Sequence, residues 1–368
     1  MNVLMVTPHL PPYQAANAIL PDLLGRGLRA RGHAVDVLAF DDGNVREGVA
    51  TVRRRRALRA TRLPQALEAA ETWWKAAPLV RRADVVHVHS STWMNQVAAR
   101  LAHRHRRPYV LTHYGTEIWH HDGKDARFRR MNREAQHVTF YSQALLERAR
   151  ELAVPLAGAS VVYPPVADEF APLSAADRAS VRARYDVGTG PLLLNVKRLH
   201  PLADQATLLD AMALVHRERQ DARLLIAGTG EEEAALKAQA TRLGLDGVVR
   251  FLGLTPNAEV ARLSGAADLF VLSSQLEATP TVALEALACG TPVVSTDNPG
   301  GVELGAIFAD DVTVVPRKDP PAFARAVLAQ LGAPRRTAAA TAVVLAERFR
   351  LPGVVDRYLE LYEGALRA

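Results

Sequence analysis

Two carboxylates, Glu277 and Glu285, bracket seven residues in EATPTVALE, the first just before a Thr-Pro helix start and the second inside the helix. Acids near a helix N-terminus offset its partial positive charge, and many do nothing more. The same helix start presents free N–H groups that, with the dipole, hold phosphate. Carboxylates accept hydrogen bonds from hydroxyls, so acids flanking a phosphate site would match a sugar joined through diphosphate to a ribose. The residues alone leave both uses open.

Three further stretches bear on the same chemistry. Lys197 and Arg198 end the apolar run LLLNVKR; they are a surface pair, or the cations that neutralise a diphosphate and stabilise it as a leaving group. His113, in VLTHYGTEIWHH, could move a proton or orient a substrate, or be an ordinary loop histidine. Its neighbours His120 and His121 are adjacent and lack the ligand spacing of a zinc site, so no metal is expected. IAGTGEEE, from Ile226, resembles half of a dinucleotide fingerprint without its third glycine, and is taken as a tight turn.

These residues need elements to hold them. Thr279 suits an N-cap and Pro280 the first helical position, where a missing N–H costs nothing. Apolar β-branched runs alternate with helix-period segments along the chain, the pattern of parallel sheets covered by helices. Strands are expected at 2–6, 34–40, 84–89, 109–112, 137–141 and 160–163, and then at 191–196, 223–227, 248–252, 268–272 and 292–295. Between the series lies YPPVADEFAPLS, whose prolines interrupt helices and mark a linker. The fold class is therefore α/β, with two doubly wound halves facing one cleft at the carboxyl ends of their strands. The last segment, with helical spacing around Pro352-Gly353, either pads its own half or packs back on the other.

Composition sets the frame. With 368 residues, 49% hydrophobic and 23% charged, the chain is a globular protein of two domains. The single cysteine, Cys289, excludes an internal disulfide, and the start MNVLMVTPHL lacks the basic and long apolar regions of a secretory signal. No apolar run approaches the roughly 20 residues of a membrane span. A cytoplasmic protein is expected. Residues 1–165 hold 24 Lys and Arg against 14 Asp and Glu, and the remainder 21 against 25. The basic excess concentrates at Arg53 to Arg62, followed by Trp73 and Trp74, and is either a solvated loop over two core tryptophans or a surface for anionic lipid at the inner face of a membrane. No reader motif accompanies it, so nucleic acid is not expected.

Taken together the motifs resemble the retaining glycosyltransferases of family 4 with the GT-B fold. Glu277 and Glu285 match the family's signature of two acids separated by seven residues, and NVKRL, LLIAGTGEE, VRFLGL, ADLFVLSS and the linker VVYPPVADEF follow in the family's order. The resemblance implies an N-terminal acceptor-binding Rossmann-like domain over 1–168, a nucleotide-sugar-binding one over 169–350, and a helix over 351–368 that crosses back to the first. It implies that Glu277 contacts the donor sugar hydroxyls and Glu285 the ribose, that Arg198 holds the diphosphate, that Gly253 and Leu254 meet the base, and that the amides of Thr279, Pro280, Thr281 and Val282 form the phosphate cradle, Pro280 lacking an N–H of its own.

Three positions depart from the family pattern. Its usual Lys five residues after the Arg is Ala203 here, and Lys197 is the nearby substitute. Its glycine-rich acceptor loop is represented by Gln14, Ala15, Ala16 and Asn17. Its His directly before Gly is Tyr114, with His113 one place earlier as the candidate catalytic group. The activity so implied is a retaining transfer of sugar from a nucleoside-diphosphate sugar to a hydroxyl acceptor that is a glycan, a lipid-linked sugar or a small molecule. It proceeds by front-face displacement, with the nucleotide sugar as co-substrate and neither metal nor other cofactor. An epimerase or a sugar phosphorylase on the same architecture, and a nucleotide-sugar-binding protein without turnover, are the alternatives.

Overall fold

The computed structural model describes residues 1–11, 13, 16–41, 49–53 and 63–367. The chain divides into two compact units, Met1–Pro165 with Leu351–Ala368, and Val166–Arg350. The first division falls at Pro165 rather than at 168.

Along the first unit run β1 (Asn2–Thr7), α1 (Ala16–Ala30), β2 (Ala34–Asp41), β3 (Val49–Arg53), α2 (Leu63–Arg82), β4 (Val85–His89), α3 (Trp93–Arg104), β5 (Tyr109–His113), α4 (Thr116–Trp119), α5 (Ala126–Glu134), β6 (His137–Phe140), α6 (Gln143–Glu151) and β7 (Ala159–Val161). The second unit holds α7 (Ala175–Arg184), β8 (Leu192–Val196), α8 (Gln205–Glu218), β9 (Arg223–Ala227), α9 (Glu233–Arg242), β10 (Val249–Gly253), α10 (Asn257–Ala266), β11 (Leu269–Leu272), α11 (Thr281–Ala288), β12 (Val293–Thr296), α12 (Pro299–Ile307), β13 (Val312–Val315), α13 (Pro320–Gly332) and α14 (Ala339–Arg348). The final helix, α15 (Leu351–Arg367), belongs to the first unit.

Both sheets are parallel, with strand orders β3-β2-β1-β4-β5-β6-β7 and β10-β9-β8-β11-β12-β13. Each order reverses once, between β1 and β4 and between β8 and β11. Doubly wound sheets bind ligands at that reversal, outside the carboxyl ends of the strands. The expected strands all form, shifted by a residue or two at their ends. Two others, β3 and β13, escaped notice. Both are edge strands, and β13 leaves its two middle residues partly or fully exposed where a doubly covered central strand would be buried throughout.

The return of α15 to the first unit has a packing cause and a polar one. Its buried face presents Val354, Val355, Tyr358 and Tyr362 to a core that includes Leu24, Leu28, Val85 and Val110. Pro352 sits in the helix's first turn, where its missing N–H breaks no intrahelical bond, so the Pro-Gly pair opens α15 instead of interrupting it. At Gly27 of α1 a Cβ would collide with Val355 Cγ2, so glycine there permits the close approach of the two helices.

Beneath this apolar contact lies a buried hydrogen-bonded chain. His87 Nδ1 is 2.6 Å from the Tyr362 hydroxyl and its Nε2 is 2.7 Å from Thr112 Oγ1. Thr112 and Thr139 hydroxyls are 2.7 Å apart, and the Tyr358 hydroxyl is 3.3 Å from each. Burial, and then the neighbouring His89, hold the His87 pKa well below the ordinary imidazole value. The ring is therefore neutral, with both nitrogens partnered. Tyr362→Phe leaves His87 Nδ1 buried without its partner and is expected to cost about 1–3 kcal/mol, read as a lower urea midpoint at unchanged m-value. Tyr358→Phe, which loses only the two longer contacts, is expected to cost less.

Candidate functional site

The chain leaves β8 after Val196 and stays pinned to the turn that follows β9. Lys197 N–H donates to the Ala227 carbonyl at 3.0 Å and Leu199 N–H to the Thr229 carbonyl at 3.0 Å. Gly228 (φ +142°) and Gly230 make this possible, because a Cβ on either would run into the carbonyl of Lys197 or Leu199. IAGTGEE is thus more than a tight turn: its glycines let it press against the backbone that carries the two cations. Leu199 is fully buried, which leaves Lys197 and Arg198 as the residues directed outward.

Opposite, at the end of β11, the segment Ser273 to Pro280 is held on both flanks. Ser273 Oγ donates to the Ala203 carbonyl at 3.0 Å and Gln275 N–H to the Leu202 carbonyl at 2.8 Å. Thr296 Oγ1 donates to the Ser274 carbonyl at 2.5 Å, and Gly300 N–H donates to the Glu277 carbonyl at 3.0 Å. A Cβ at Gly300 would lie 2.7 Å from Pro280 Cδ, so that glycine admits the loop. Ala203, in the family's Lys position, is buried within a 3₁₀ turn over Pro201–Ala203.

The loop delivers Glu277 to Lys197. The ammonium lies 2.5 Å from Glu277 Oε1, off the line of a hydrogen bond, so the nearly buried oxygen is ion-paired yet still lacks a directed donor. Lys197 also acts on Glu285, whose pKa is pushed up to about 8, first by burial and then by the charge of Glu169, with Lys197 opposing. The Glu285 side chain keeps a partly exposed edge, and no hydrogen bond or ion pair forms to its carboxyl among the described residues. One lysine therefore stands near both signature acids.

The helix start differs by one place from the expected one. Pro280, not Thr279, is the cap of α11, and Thr281 is the first helical residue. Ala283 and Leu284 N–H groups both turn to the Pro280 carbonyl, at 3.0 and 3.3 Å, whereas Thr281 and Val282 N–H groups have no partner among the described residues. Those two amides form the available anion site.

The other expected residues take these positions. Arg198 is 73% exposed with Glu231 3.6 Å away, so it is close to free in solution. Gly253 ends β10 at φ +70° and accepts the Gly228 N–H at 2.8 Å, and Leu254 beside it is 79% exposed, an apolar surface a base could cover. Cys289 is fully buried, its thiol pushed up to about 12 by burial and then by Glu285. It is a core residue.

In the first unit His113 is fully buried between Phe128 and Phe140, and its Nε2 is 2.9 Å from Asn132 Oδ1. Its Nδ1 stands 3.7 Å from Glu117 Oε1. Burial would raise the Glu117 pKa, but His113 and the Tyr114 N–H, which donates at 2.8 Å, bring it below the ordinary value. His113, the residue expected to be catalytic, thus has no exposed surface, and its Nδ1, without a hydrogen-bond partner among the described residues, faces the Glu117 carboxylate that accepts the Tyr114 and Gly115 amides. His121 stacks on Phe128 at 3.9 Å and accepts the Gly123 N–H at 2.8 Å. Asn17, in the first turn of α1, accepts a 2.6 Å hydrogen bond from Thr7 Oγ1 at the end of β1. Ala16 beside it is exposed. Gln14, Ala15 and Arg54 to Arg62 lie outside the described residues. Trp74 is 73% and Trp73 39% exposed on α2, so they are not core tryptophans.

Two Rossmann-like units, with the acids, cations and helix start of the second at its strand-order reversal, define the class: a GT-B-fold protein. The chain belongs to the glycosyltransferases of group 1 and family 4, its residues 177–339 matching the family described as Glycosyl transferases group 1 and residues 22–170 that described as Glycosyltransferase Family 4. It is 35% identical over 52% of its length to a D-inositol 3-phosphate glycosyltransferase of Segniliparus rotundus, of which the match spans 44%. It is 33% identical over 57% of its length to the GDP-mannose-dependent alpha-(1-6)-phosphatidylinositol monomannoside mannosyltransferase of Mycolicibacterium smegmatis, covering 57% of that protein. The chain thus spans about half the length of these curated relatives. The Anabaena protein HepE, solved in complex with UDP, superposes with a TM-score of 0.80 over 99% of this chain and 100% of that one, at 21% identity, which is a likeness of fold.

A raised carboxyl pKa means that the folded state holds its proton longer than the unfolded state. Glu285 therefore subtracts stability as pH rises from its ordinary 4.5 through about 8. Glu285→Gln is expected to raise the melting temperature at pH 9 and to leave it nearly unchanged at pH 4, and thermal melts of both proteins across that range check it.

Proposed function

We propose that the chain transfers a sugar from a nucleoside-diphosphate sugar, bound by the second unit, to a hydroxyl acceptor, with retention of anomeric configuration and without a metal. One observation supports this above the others: Glu277, paired with Lys197, and the unpaired Glu285 stand with the bare Thr281 and Val282 amides at the strand-order reversal of β8 and β11. A sugar hydroxyl that donates to Glu277 Oε1 supplies the directed hydrogen bond that Lys197 does not. Ribose hydroxyls do the same for Glu285, and the exposed Leu254 offers its apolar face to the base.

In the reaction the bond between the sugar anomeric carbon and the phosphate oxygen breaks, and the acceptor oxygen bonds to that carbon on the same face. The acceptor proton passes to the departing phosphate. Arg198 and the Thr281 and Val282 amides absorb the charge that develops there, as preorganised donors do. Lys197 is committed to Glu277, so it contributes to the diphosphate through its field and not as a replacement for the missing lysine at Ala203. The named relatives act on inositol phosphate and on a phosphatidylinositol mannoside, which favours a polyol hydroxyl as acceptor.

Arg198→Ala is expected to lower turnover by about 10²–10³ with little change in melting temperature, because the side chain is exposed. A thermal-shift screen of nucleoside diphosphates and their sugars identifies the donor, steady-state kinetics measures the loss, and NMR of the product must show the donor's anomeric configuration. Full activity in EDTA checks the absence of a metal requirement. Product of inverted configuration, or a fully active Arg198→Ala, would sink the mechanism.

Peripheral contact with an anionic membrane is a second proposal, favoured by the exposed Trp73, Trp74 and Leu67 on α2 and by the exposed Arg53 at the end of β3. Among the described residues no helix is long and apolar enough to cross a membrane. The protein is expected to float with phosphatidylglycerol vesicles at low salt, and Trp73→Ala with Trp74→Ala to reduce the floated fraction severalfold. Failure of the wild-type protein to float would end this proposal.

A further inference from the structure

The ion pair between Lys197 and Glu277 is incompletely made. Among the described residues two other lysines meet a glutamate, and each donates a directed hydrogen bond: Lys75 Nζ to Glu71 Oε1 at 2.8 Å, and Lys237 Nζ to Glu233 Oε1 at 2.7 Å. Lys197 Nζ comes closer, 2.5 Å from Glu277 Oε1, but off the line of a hydrogen bond. Its ammonium donates none among the described residues, and Oε1 accepts none. A fully exposed pair in this state is simply solvated and worth little. Here the Lys197 side chain keeps 28% of its surface and that of Glu277 only 10%. Both reach the surface, so a ligand can meet them, yet water covers little of either, and charges drawn from water are costly while their hydrogen bonds stay unmade. The backbone on both sides is fixed. Asn195 Nδ2 donates to the Val271 carbonyl at 2.7 Å and ties the end of β8 to β11, the strand from which the Glu277 loop departs. The missing hydrogen bonds are therefore left to a third group.

That group must accept from the ammonium and donate to the carboxylate. Ionised phosphate and carboxylate oxygens only accept, and Glu277 repels them. A guanidinium or ammonium only donates, and Lys197 repels it. The charges of the pair cancel, so a ligand of neither sign is favoured. A trans secondary amide carries a donor and an acceptor that point in opposite directions, which does not suit two groups in contact. A hydroxyl does both on one atom. Water does so too, and a sugar hydroxyl that reproduces its hydrogen bonds can take its place.

We propose that Lys197 is a specificity-determining residue for the donor: with Glu277 it clamps one hydroxyl of the sugar, which accepts from the ammonium and donates to the carboxylate. The donor sugar is then neutral and bears a free hydroxyl at the clamped carbon, and sugars that are deoxygenated, carboxylated or acylaminated there are rejected. This rests on the proposed transfer and goes beyond it by naming the class of sugar and by giving Lys197 a substrate contact of its own. The diphosphate stays with Arg198 and the Thr281 and Val282 amides.

Calorimetric titration tests the clamp. GDP-mannose, UDP-glucose, ADP-glucose and dTDP-glucose are each compared with their free nucleoside diphosphate, and the sugar nucleotide that binds is then replaced by its monodeoxy forms, one for each sugar hydroxyl. For the wild-type protein one monodeoxy form is expected to bind about ten- to a hundredfold more weakly than its parent, the loss of hydrogen bonds to charged groups. Lys197→Met keeps the length of the side chain and removes the ammonium; in it that penalty is expected to fall severalfold, because Glu277 alone is left to meet the hydroxyl. Lys197→Gln is the second variant, should the first melt too early to titrate. The variant is also expected to lose more affinity for the sugar nucleotide than for the nucleoside diphosphate. Equal binding of every monodeoxy form by the wild-type protein overturns the clamp without recourse to a variant. So does an undiminished penalty in the variants, or an equal loss of affinity for sugar nucleotide and nucleoside diphosphate, which would assign the ammonium to the phosphates. If no nucleoside diphosphate or sugar nucleotide binds, the proposed transfer fails; if one binds and the monodeoxy series is flat, only the clamp fails.

Discussion

The second unit is organised by a charge constraint: one lysine, Lys197, must serve two acids, Glu277 in contact and Glu285 at longer range. A carboxylate that is nearly buried is costly to leave unpaired, and so is an ammonium brought from water. Their mutual attraction offsets part of that cost, and what remains is available to a ligand that brings hydroxyls. The surrounding backbone is consistent with this. Glycines at 228 and 230 press the turn after β9 against the Lys197 segment, and Gly300 lets α12 approach the loop that carries Glu277. Rigid placement matters because the interaction is steep in distance, and a shift of an ångström would leave both charges poorly solvated and poorly paired.

The first unit solves a different problem with neutral groups. His87, Thr112, Thr139, Tyr358 and Tyr362 satisfy one another inside the core and make the docking of α15 directional rather than merely apolar. One residue pair further along β4, His89 meets Tyr114 but is left with an open nitrogen. His113 is likewise half satisfied: its ring is packed between aromatics with Nε2 bonded to Asn132, while Nδ1 has no hydrogen-bond partner among the described residues.

How much was legible before folding differs by element. The central strands announced themselves as continuous apolar runs because both their faces are covered, whereas the edge strands β3 and β13 did not, being half-exposed. The two signature acids, the cation pair and the helix start were visible as types and spacings. The one-place shift of the cap to Pro280 arises because two successive amides, of Ala283 and Leu284, both find the Pro280 carbonyl, a competition among backbone groups that no side-chain preference reports. The glycines of IAGTGEE were visible as glycines, but the carbonyls they make room for lie about thirty residues earlier.

What the sequence determined by itself was therefore local and periodic: which segments become strands, where helices start, which residues can carry charge or accept a hydroxyl, and the family to which these motifs belong. The tertiary structure alone decided which of those residues meet. Lys197 and Glu277 are eighty positions apart, and only the adjacency of β8 and β11 puts them in contact. Burial, too, is a property of the packed molecule, and it enclosed His113, left Trp74 in solvent and raised the proton affinity of Glu285. The physical reason is common to all: charge, desolvation and hydrogen bonding act through space over a few ångströms, and distance in space is what the linear order of residues does not contain.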